Sequence, residues 1–298
     1  MYDILIIGSG PAGLSAAIYG KRALLELAVI EKDYMGTGQI AVTEQVDNYP
    51  GLPGISGYDL GEKFRSHAEQ LGTEFIEGEV TGLEKSGGNW TVKFADGKTE
   101  SARTVIYAAG ASHRKPGVPG VDKQRISYCA VCDGFFYKEK TVAVIGGGDT
   151  ALGDALYLSK LAKTVYLVHR REEFRANKSL QKHVSEAANI IPVLGAVLTG
   201  ITGDGSADGI NYTQNGEQKH LDVDGIFVAV GSVPNTAPLE GICELDGGYV
   251  RAGEDCVTSA PGIFAAGDIR TTPLRQVITA AADGANAVTS AEKYLNAE

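Results

Sequence analysis

Cys129 and Cys132 are separated by two residues and followed directly by Asp133. At that spacing two thiols can close an intramolecular disulfide, so one thiolate can attack a substrate disulfide while the other resolves the mixed disulfide. The adjacent carboxyl is placed to give or take the proton of the released thiol. Metal binding is the competing use of such a pair. A structural zinc site needs about four ligands, and the remaining cysteines, Cys243 and Cys256, form no second C-x-x-C. The five histidines show no ligand spacing either. No metal is expected, and Cys243 and Cys256 read as buried or incidental thiols. Which of Cys129 and Cys132 attacks first stays open.

A dithiol needs a source of electrons, and the glycines indicate one. The chain has 39 of them, about 13% against a usual ~7%, and they cluster after short β-branched runs. Ile4–Ile7 leads into Gly8-Ser9-Gly10-Pro11-Ala12-Gly13, and Val142–Ile145 leads into Gly146-Gly147-Gly148-Asp149-Thr150-Ala151. Each cluster is followed by a helix-like stretch and a second apolar strand, which completes a βαβ unit. Such turns let backbone approach a pyrophosphate lying on the positive end of a helix dipole. What ends the second strand sorts the two nucleotides. Glu31, followed by Lys32, can accept from both ribose hydroxyls and would repel a 2′-phosphate. The second site has His169-Arg170-Arg171 and then Arg175, whose guanidinium forks suit the 2′-phosphate of NADPH.

Composition narrows the class further. In 298 residues, 43% are hydrophobic and 21% charged, an ordinary globular balance long enough for two domains. The net charge of −10 argues against a nucleic acid partner. No apolar run approaches the ~20 residues of a membrane span, and the strand-like Ile4–Ile7 begins too early for a leader. A soluble cytoplasmic protein without membrane contact is expected.

These motifs, taken in order, resemble the low-molecular-weight, bacterial-type thioredoxin reductases, class II pyridine nucleotide-disulfide oxidoreductases. The resemblance runs over essentially the whole chain. It rests on Gly8–Gly13, on Gln39 through Asn48-Tyr49-Pro50-Gly51, and on Cys129-Ala130-Val131-Cys132-Asp133-Gly134-Phe135-Phe136. Gly146–Ala151, His169–Arg175, Gly231-x-x-Pro234-Asn235-Thr236, Gly267-Asp268 and Arg275-Gln276 complete it. It implies FAD at the first fingerprint, NADPH at the second, a homodimer, and a thioredoxin or thioredoxin-like protein as the substrate of the dithiol. FAD contacts are then expected from Gly8–Gly13, Glu31, Lys32, Gly38, Gln39, Asn48, Ala109, Gly110, Gly267, Asp268, Arg275 and Gln276. NADPH contacts are expected from Gly146–Ala151, His169, Arg170, Arg171 and Arg175.

The implied fold is α/β, with two Rossmann-like, three-layer ββα nucleotide-binding domains. Residues 1–113 and 241–298 would form the FAD domain, and 114–240 an inserted NADPH domain carrying the dithiol. Nicotinamide and dithiol must both reach one flavin, so a rotation about the two interdomain links is expected. Two positions depart from the family pattern. Thr37, in Gly36-Thr37-Gly38-Gln39, adds a side chain where backbone should approach the flavin, and Gly153-Asp154 stands where an acidic pair is usual. The competing reading is a ferredoxin-driven flavin thioredoxin reductase or a dithiol oxidase on the same scaffold. The intact second fingerprint and the arginines oppose it. A flavin sensor without turnover would leave the dithiol and Asp133 without a use.

Overall fold

The computed structural model describes residues 1–33, 36–43, 45–121 and 126–297. Among them no helix is long and apolar enough to cross a membrane. The chain divides into two units, Met1–Ser112 with Val233–Glu298, and His113–Ser232.

The first unit begins with β1 (Tyr2–Ile7), α1 (Pro11–Arg22), β2 (Leu27–Glu31), α2 (Gly57–Gln70) and β3 (Glu74–Glu77). Ile4–Ile7 and Leu27–Ile30 are buried throughout, as strands covered on both faces must be, and β1 pairs in parallel with β2 from Ile4↔Leu27 to Ile7↔Ile30. An antiparallel layer follows, made of β4 (Val80–Ser86), β5 (Asn89–Phe94) and β6 (Thr99–Tyr107). The long β6 serves two layers. Its first half pairs antiparallel with β5 (Trp90↔Ala102), and its second half runs parallel beside β1 (Ile7↔Tyr107). One apolar cluster, including Ile4, Ile6, Leu14 and Val288, fills the helical side of the sheet, and another, including Leu5, Ile7, Trp90 and Val92, fills the opposite side. From β7 (Ala111–His113) the chain enters the second unit.

That unit repeats the plan. After α3 (Ala130–Asp133) come β8 (Thr141–Ile145), α4 (Asp149–Leu158), β9 (Thr164–Val168), α5 (Lys178–Glu186) and β10 (Ile190–Val193). A meander of β11 (Val197–Asp204), β12 (Ser206–Gln214) and β13 (Glu217–Asp222) forms the antiparallel layer, and β14 (Gly225–Val228) returns beside β8. The parallel sheet has the order β10-β9-β8-β14, with separate cores on its helical and meander sides. Both units are therefore three-layer ββα folds.

The chain returns through β15 (Ser232–Pro234), β16 (Leu245–Asp246), β17 (Tyr249–Val250) and β18 (Ile263–Ala265) to the long C-terminal α6 (Val277–Ala297). The sequence reading runs the inserted unit to residue 240, but the return to the first unit falls at Val233. Residues 233–240 belong there because the Tyr107 hydroxyl donates to the Asn235 carbonyl (2.9 Å), Asn235 Nδ2 donates to the Ala109 carbonyl (2.7 Å), and Leu239 is buried in the first unit's core. β18 extends the parallel sheet beside β6 (Ile263↔Val105). Beyond it, Arg270 makes a two-pronged ion pair with Asp283 of α6, at 2.7 Å from Nε to Oδ2 and 2.6 Å from Nη2 to Oδ1, with both side chains 7% exposed.

Removing one partner of a buried pair leaves the other charge uncompensated. Asp283→Ala is expected to lose about 3–5 kcal/mol of unfolding free energy, read from urea denaturation, and a loss below about 1 kcal/mol would count against this role. A pH effect is expected from Asp154 on α4, whose carboxyl burial pushes up to about 6. A carboxyl raised on folding adds stability while both states are protonated, and that stability is lost as pH rises through the folded value. Asp154→Asn should therefore gain stability over the parent chain between about pH 4 and about pH 7, and the parent's melting temperature should show the corresponding fall.

Candidate active site

The first fingerprint is the turn from β1 into α1. Gly8 lies in the left-handed region (φ 103°), and a Cβ at Gly13 would collide with the Gly8 carbonyl oxygen, so the turn closes only without side chains there. Gly10 caps α1 in extended conformation without a side-chain hydrogen bond, and Pro11 occupies the first helical turn. The donors of that turn are thus directed outward with no side-chain acceptor among the described residues, which suits a diphosphate. Glu31, at the end of β2, is fixed rather than loose. Ser9 donates to its Oε2 from the backbone (2.9 Å) and the hydroxyl (2.8 Å), and Lys32 N–H donates to Oε1 (2.8 Å). The carboxylate is thereby oriented beside the glycine turn.

The remaining expected FAD residues assemble around the same sheet ends. Gln39 Nε2 donates to the Ala111 carbonyl, and Asn48 Nδ2 donates to Gln276 Oε1 (2.9 Å). Ala109 and Gly110 follow β6, the latter at φ 63°. Gly267 packs so closely on Ala12 that a Cβ there would lie 2.9 Å from the alanine methyl. Asp268 follows, its carboxyl raised by burial and partly offset by Arg275. The Arg275 guanidinium lies 4.1 Å over the Tyr249 ring, and its buried Nε has no hydrogen-bond partner among the described residues. An unsatisfied donor beside a raised carboxyl is the environment a polar ring edge would complete. Thr37 turns its side chain into the protein. It is 2% exposed, lying against Gly61 of α2, where a Cβ would collide with Thr37 Oγ1. The departure at residue 37 is absorbed by a glycine across the interface.

In the second unit, Gly148 likewise caps α4 without a side-chain bond, and Asp149 turns aside to accept from Asn177 N–H (2.8 Å). Arg175 N–H donates to the Gly147 carbonyl (2.7 Å), which draws the basic segment across the fingerprint turn. Arg170, Arg171 and Arg175 are exposed, but His169 is not. Its ring packs on Gly147 and stacks on Phe174 (5.9 Å), with Nε2 buried and without a hydrogen-bond partner among the described residues. Burial, reinforced by the charges of Arg170, Arg171 and Arg175, holds its pKa below the usual histidine value. The arginines present charge, while the imidazole supports the turn from beneath. A Cβ at Gly153 would meet open space.

Cys129 and Cys132 form a disulfide, with Cα atoms 5.3 Å apart. Cys129 caps the short α3, and Cys132 N–H donates to its Sγ (3.2 Å), a contact that favours negative charge on Cys129 after reduction. Asp133 Oδ2 accepts from the Ser127 hydroxyl (2.6 Å). Cys243 and Cys256 are buried free thiols, and burial raises both. Among the described residues no group of three His, Cys, Asp or Glu side chains could hold a metal.

Sequence reasoning missed Ser127, Arg270 and Asp283. Asp283 carries a signal, as an acid amid the small residues Ala280–Ala282 and Gly284-Ala285 of a helix otherwise suited to burial. Ser127 has only its place two residues before the dithiol, and Arg270 stands alone.

The pyridine nucleotide-disulphide oxidoreductase family model matches residues 2–284. A thioredoxin reductase of Listeria monocytogenes is 40% identical, the match covering 99% of this chain and 94% of that protein. One of Bacillus subtilis is 39% identical over 99% of this chain and 95% of its own. The crystal structure of thioredoxin reductase from Streptococcus pyogenes superposes with a TM-score of 0.93 at 38% identity, covering 100% of this chain and 99% of that one. A disulfide in the same unit as an uncapped glycine turn, in a chain alike from end to end to such proteins, places it as an oxidoreductase of the pyridine nucleotide-disulphide oxidoreductase family, among the thioredoxin reductases.

Proposed function

We propose that the chain works as a cytoplasmic, homodimeric, NADPH-dependent enzyme that binds FAD in its first unit and NADPH in its second, and that reduces a thioredoxin or thioredoxin-like protein through Cys129 and Cys132. The observation that carries this reading is the Cys129–Cys132 disulfide, with Asp133 adjoining it, in the unit that also holds the basic segment. Bound FAD would supply two-electron transfer between a nicotinamide and a disulfide. In the first unit Gly8–Gly13 would take the diphosphate, Glu31 the ribose, and Asp268, Arg275 and Gln276 the polar edge of the cofactor. Lys32, Gly38, Gln39, Asn48, Ala109, Gly110 and Gly267 would shape the rest of that site. In the second unit Gly146–Ala151 would take the diphosphate, with Arg170, Arg171 and Arg175 on the 2′-phosphate and His169 beneath the turn. The reduced dithiol exchanges with the substrate disulfide, and Asp133 carries a proton to or from the sulfurs.

Purified protein is expected to carry FAD, to have the mass of a dimer, and to bleach its flavin on anaerobic addition of NADPH. Cys129→Ser and Cys132→Ser should retain that bleaching and lose thioredoxin turnover by at least about a thousandfold. Retained turnover in either variant would place the electrons on another thiol. A flavin that stays oxidised under NADPH, while the dithiol turns over with oxygen, would favour the dithiol oxidase reading.

Coenzyme choice gives a separate check. NADPH should be preferred to NADH by about 2–4 kcal/mol in transition-state binding, the scale of paired charge-assisted hydrogen bonds. Replacing Arg170 and Arg171 by glutamine should remove most of that margin in kcat/KM, and equal use of both coenzymes by the parent protein would refute the assignment.

A further inference from the structure

We propose that Ser127 is a positioning residue for the proton chemistry of the dithiol, keeping the Asp133 carboxyl in one place in both of its protonation states. This rests on the reading of Asp133 as the proton carrier in disulfide exchange.

The Ser127 side chain is buried, and its Oγ meets three groups. It lies 2.6 Å from Asp133 Oδ2, 3.1 Å from the Cys129 N–H and 3.3 Å from the Cys129 carbonyl oxygen. The N–H can only donate, so Oγ always accepts from Cys129. The single hydroxyl proton has two acceptors. While Asp133 is ionised, the short charge-assisted bond to Oδ2 takes it. When Asp133 is protonated, its O–H donates to Ser127 Oγ, and the serine proton turns to the Cys129 carbonyl in a longer, weaker bond. Oγ therefore remains hydrogen-bonded in either state, and the carboxyl stays where it is when its charge changes.

The holder is itself fixed. Ser127 N–H donates to the Ile226 carbonyl (2.9 Å) and Val228 N–H donates to the Ser127 carbonyl (2.8 Å), a parallel bridge to β14. The hydroxyl is thus registered to the sheet of the second unit. Among the described residues, the titratable groups on and beside this segment include the two cysteines, Tyr128 stacked on His113 (4.8 Å), and Tyr157 of α4, which lies against Gly134.

The chemistry needs a carboxyl that does not move. A thiolate of the reduced dithiol attacks one sulfur of the substrate disulfide, forming a mixed disulfide as the substrate S–S bond breaks, and the leaving thiolate takes a proton. The second thiol then loses its proton, attacks, closes the Cys129–Cys132 bond and releases the second substrate thiolate. Two electrons and two protons pass to the substrate in all. The proton Asp133 takes from one thiol is the proton it returns to a leaving sulfur.

The test uses the full-length protein, with its dithiol reduced by a phosphine, the reductant removed, and its reaction with dithionitrobenzoate followed from about pH 5 to about pH 9. This readout is independent of nucleotide. The parent should show a limb that Asp133→Asn lacks. Ser127→Ala should move that limb upward by about one pH unit, since one charge-assisted bond to the carboxylate is lost, and Ser127→Thr should restore it. Ser127→Gly serves where the alanine variant does not fold. A limb that stays in place in the folded alanine or glycine variant, while Asp133→Asn abolishes it, overturns the role of Ser127 alone. A profile unchanged by Asp133→Asn overturns the acid-base reading of Asp133 and this proposal with it.

Discussion

The first unit is assembled from the two ends of the chain, and the buried pair between Arg270 and Asp283 braces the second end internally, tying the turn after β18 to α6. Asp283 does more than neutralise an arginine. Its Oδ2 also accepts from Gly267 N–H (3.0 Å), so one carboxylate fixes both ends of the turn that follows β18. That turn sets Gly267 against Ala12 in the first fingerprint and Asp268 beside it. Desolvating two charges is costly, and an apolar pair of the same volume would serve stability as well or better. What an apolar pair lacks is directional contact with a backbone N–H. Here the ionic pair is the part that places a loop, and α6 is the rigid element to which the loop is referred.

The same architectural plan occurs twice, and the differences lie at the strand ends. In each unit a parallel strand delivers a glycine turn, and its neighbour delivers the residue that would meet a ribose under the proposed function. In the first unit that residue is a carboxylate oriented by Ser9 and Lys32. In the second it is a group of exposed arginines drawn over the turn by the Arg175 to Gly147 hydrogen bond. Similar glycine turns thus stand beside opposite charge, which under the proposed function would let one fold distinguish two nucleotides.

The glycine turns, the strands and the dithiol were legible because their physics is local. A turn such as Gly8–Gly13 is specified by residues within one βαβ unit, and so is the acid or base that follows. What was not legible depends on contacts between distant segments. The position of Val233 relative to the two units depends on Asn235 reaching Ala109. The burial of Thr37 depends on Gly61, which looks like an ordinary helical glycine until the loop is seen against it. Ser127 precedes the dithiol by two residues, yet its use depends on α3 turning Asp133 back toward it.

The basic segment shows why burial and charge are kept apart in this site. Burial holds the titration of His169 down, and the charges of Arg170, Arg171 and Arg175 add to it. An imidazolium beneath them would add a fourth positive charge in a place where water is excluded, at a desolvation cost that exposed guanidiniums avoid. Keeping His169 neutral lets it fill the space under Gly147 as a flat, uncharged ring, while the arginines retain their solvation until an anion arrives. Under the proposed function, a phosphate dianion would then accept charge-assisted hydrogen bonds from them, whereas a ribose hydroxyl could accept only weaker ones. Selectivity for the phosphorylated coenzyme would therefore come from the charge-assisted contacts of solvated arginines held over a neutral ring rather than from a fourth buried charge.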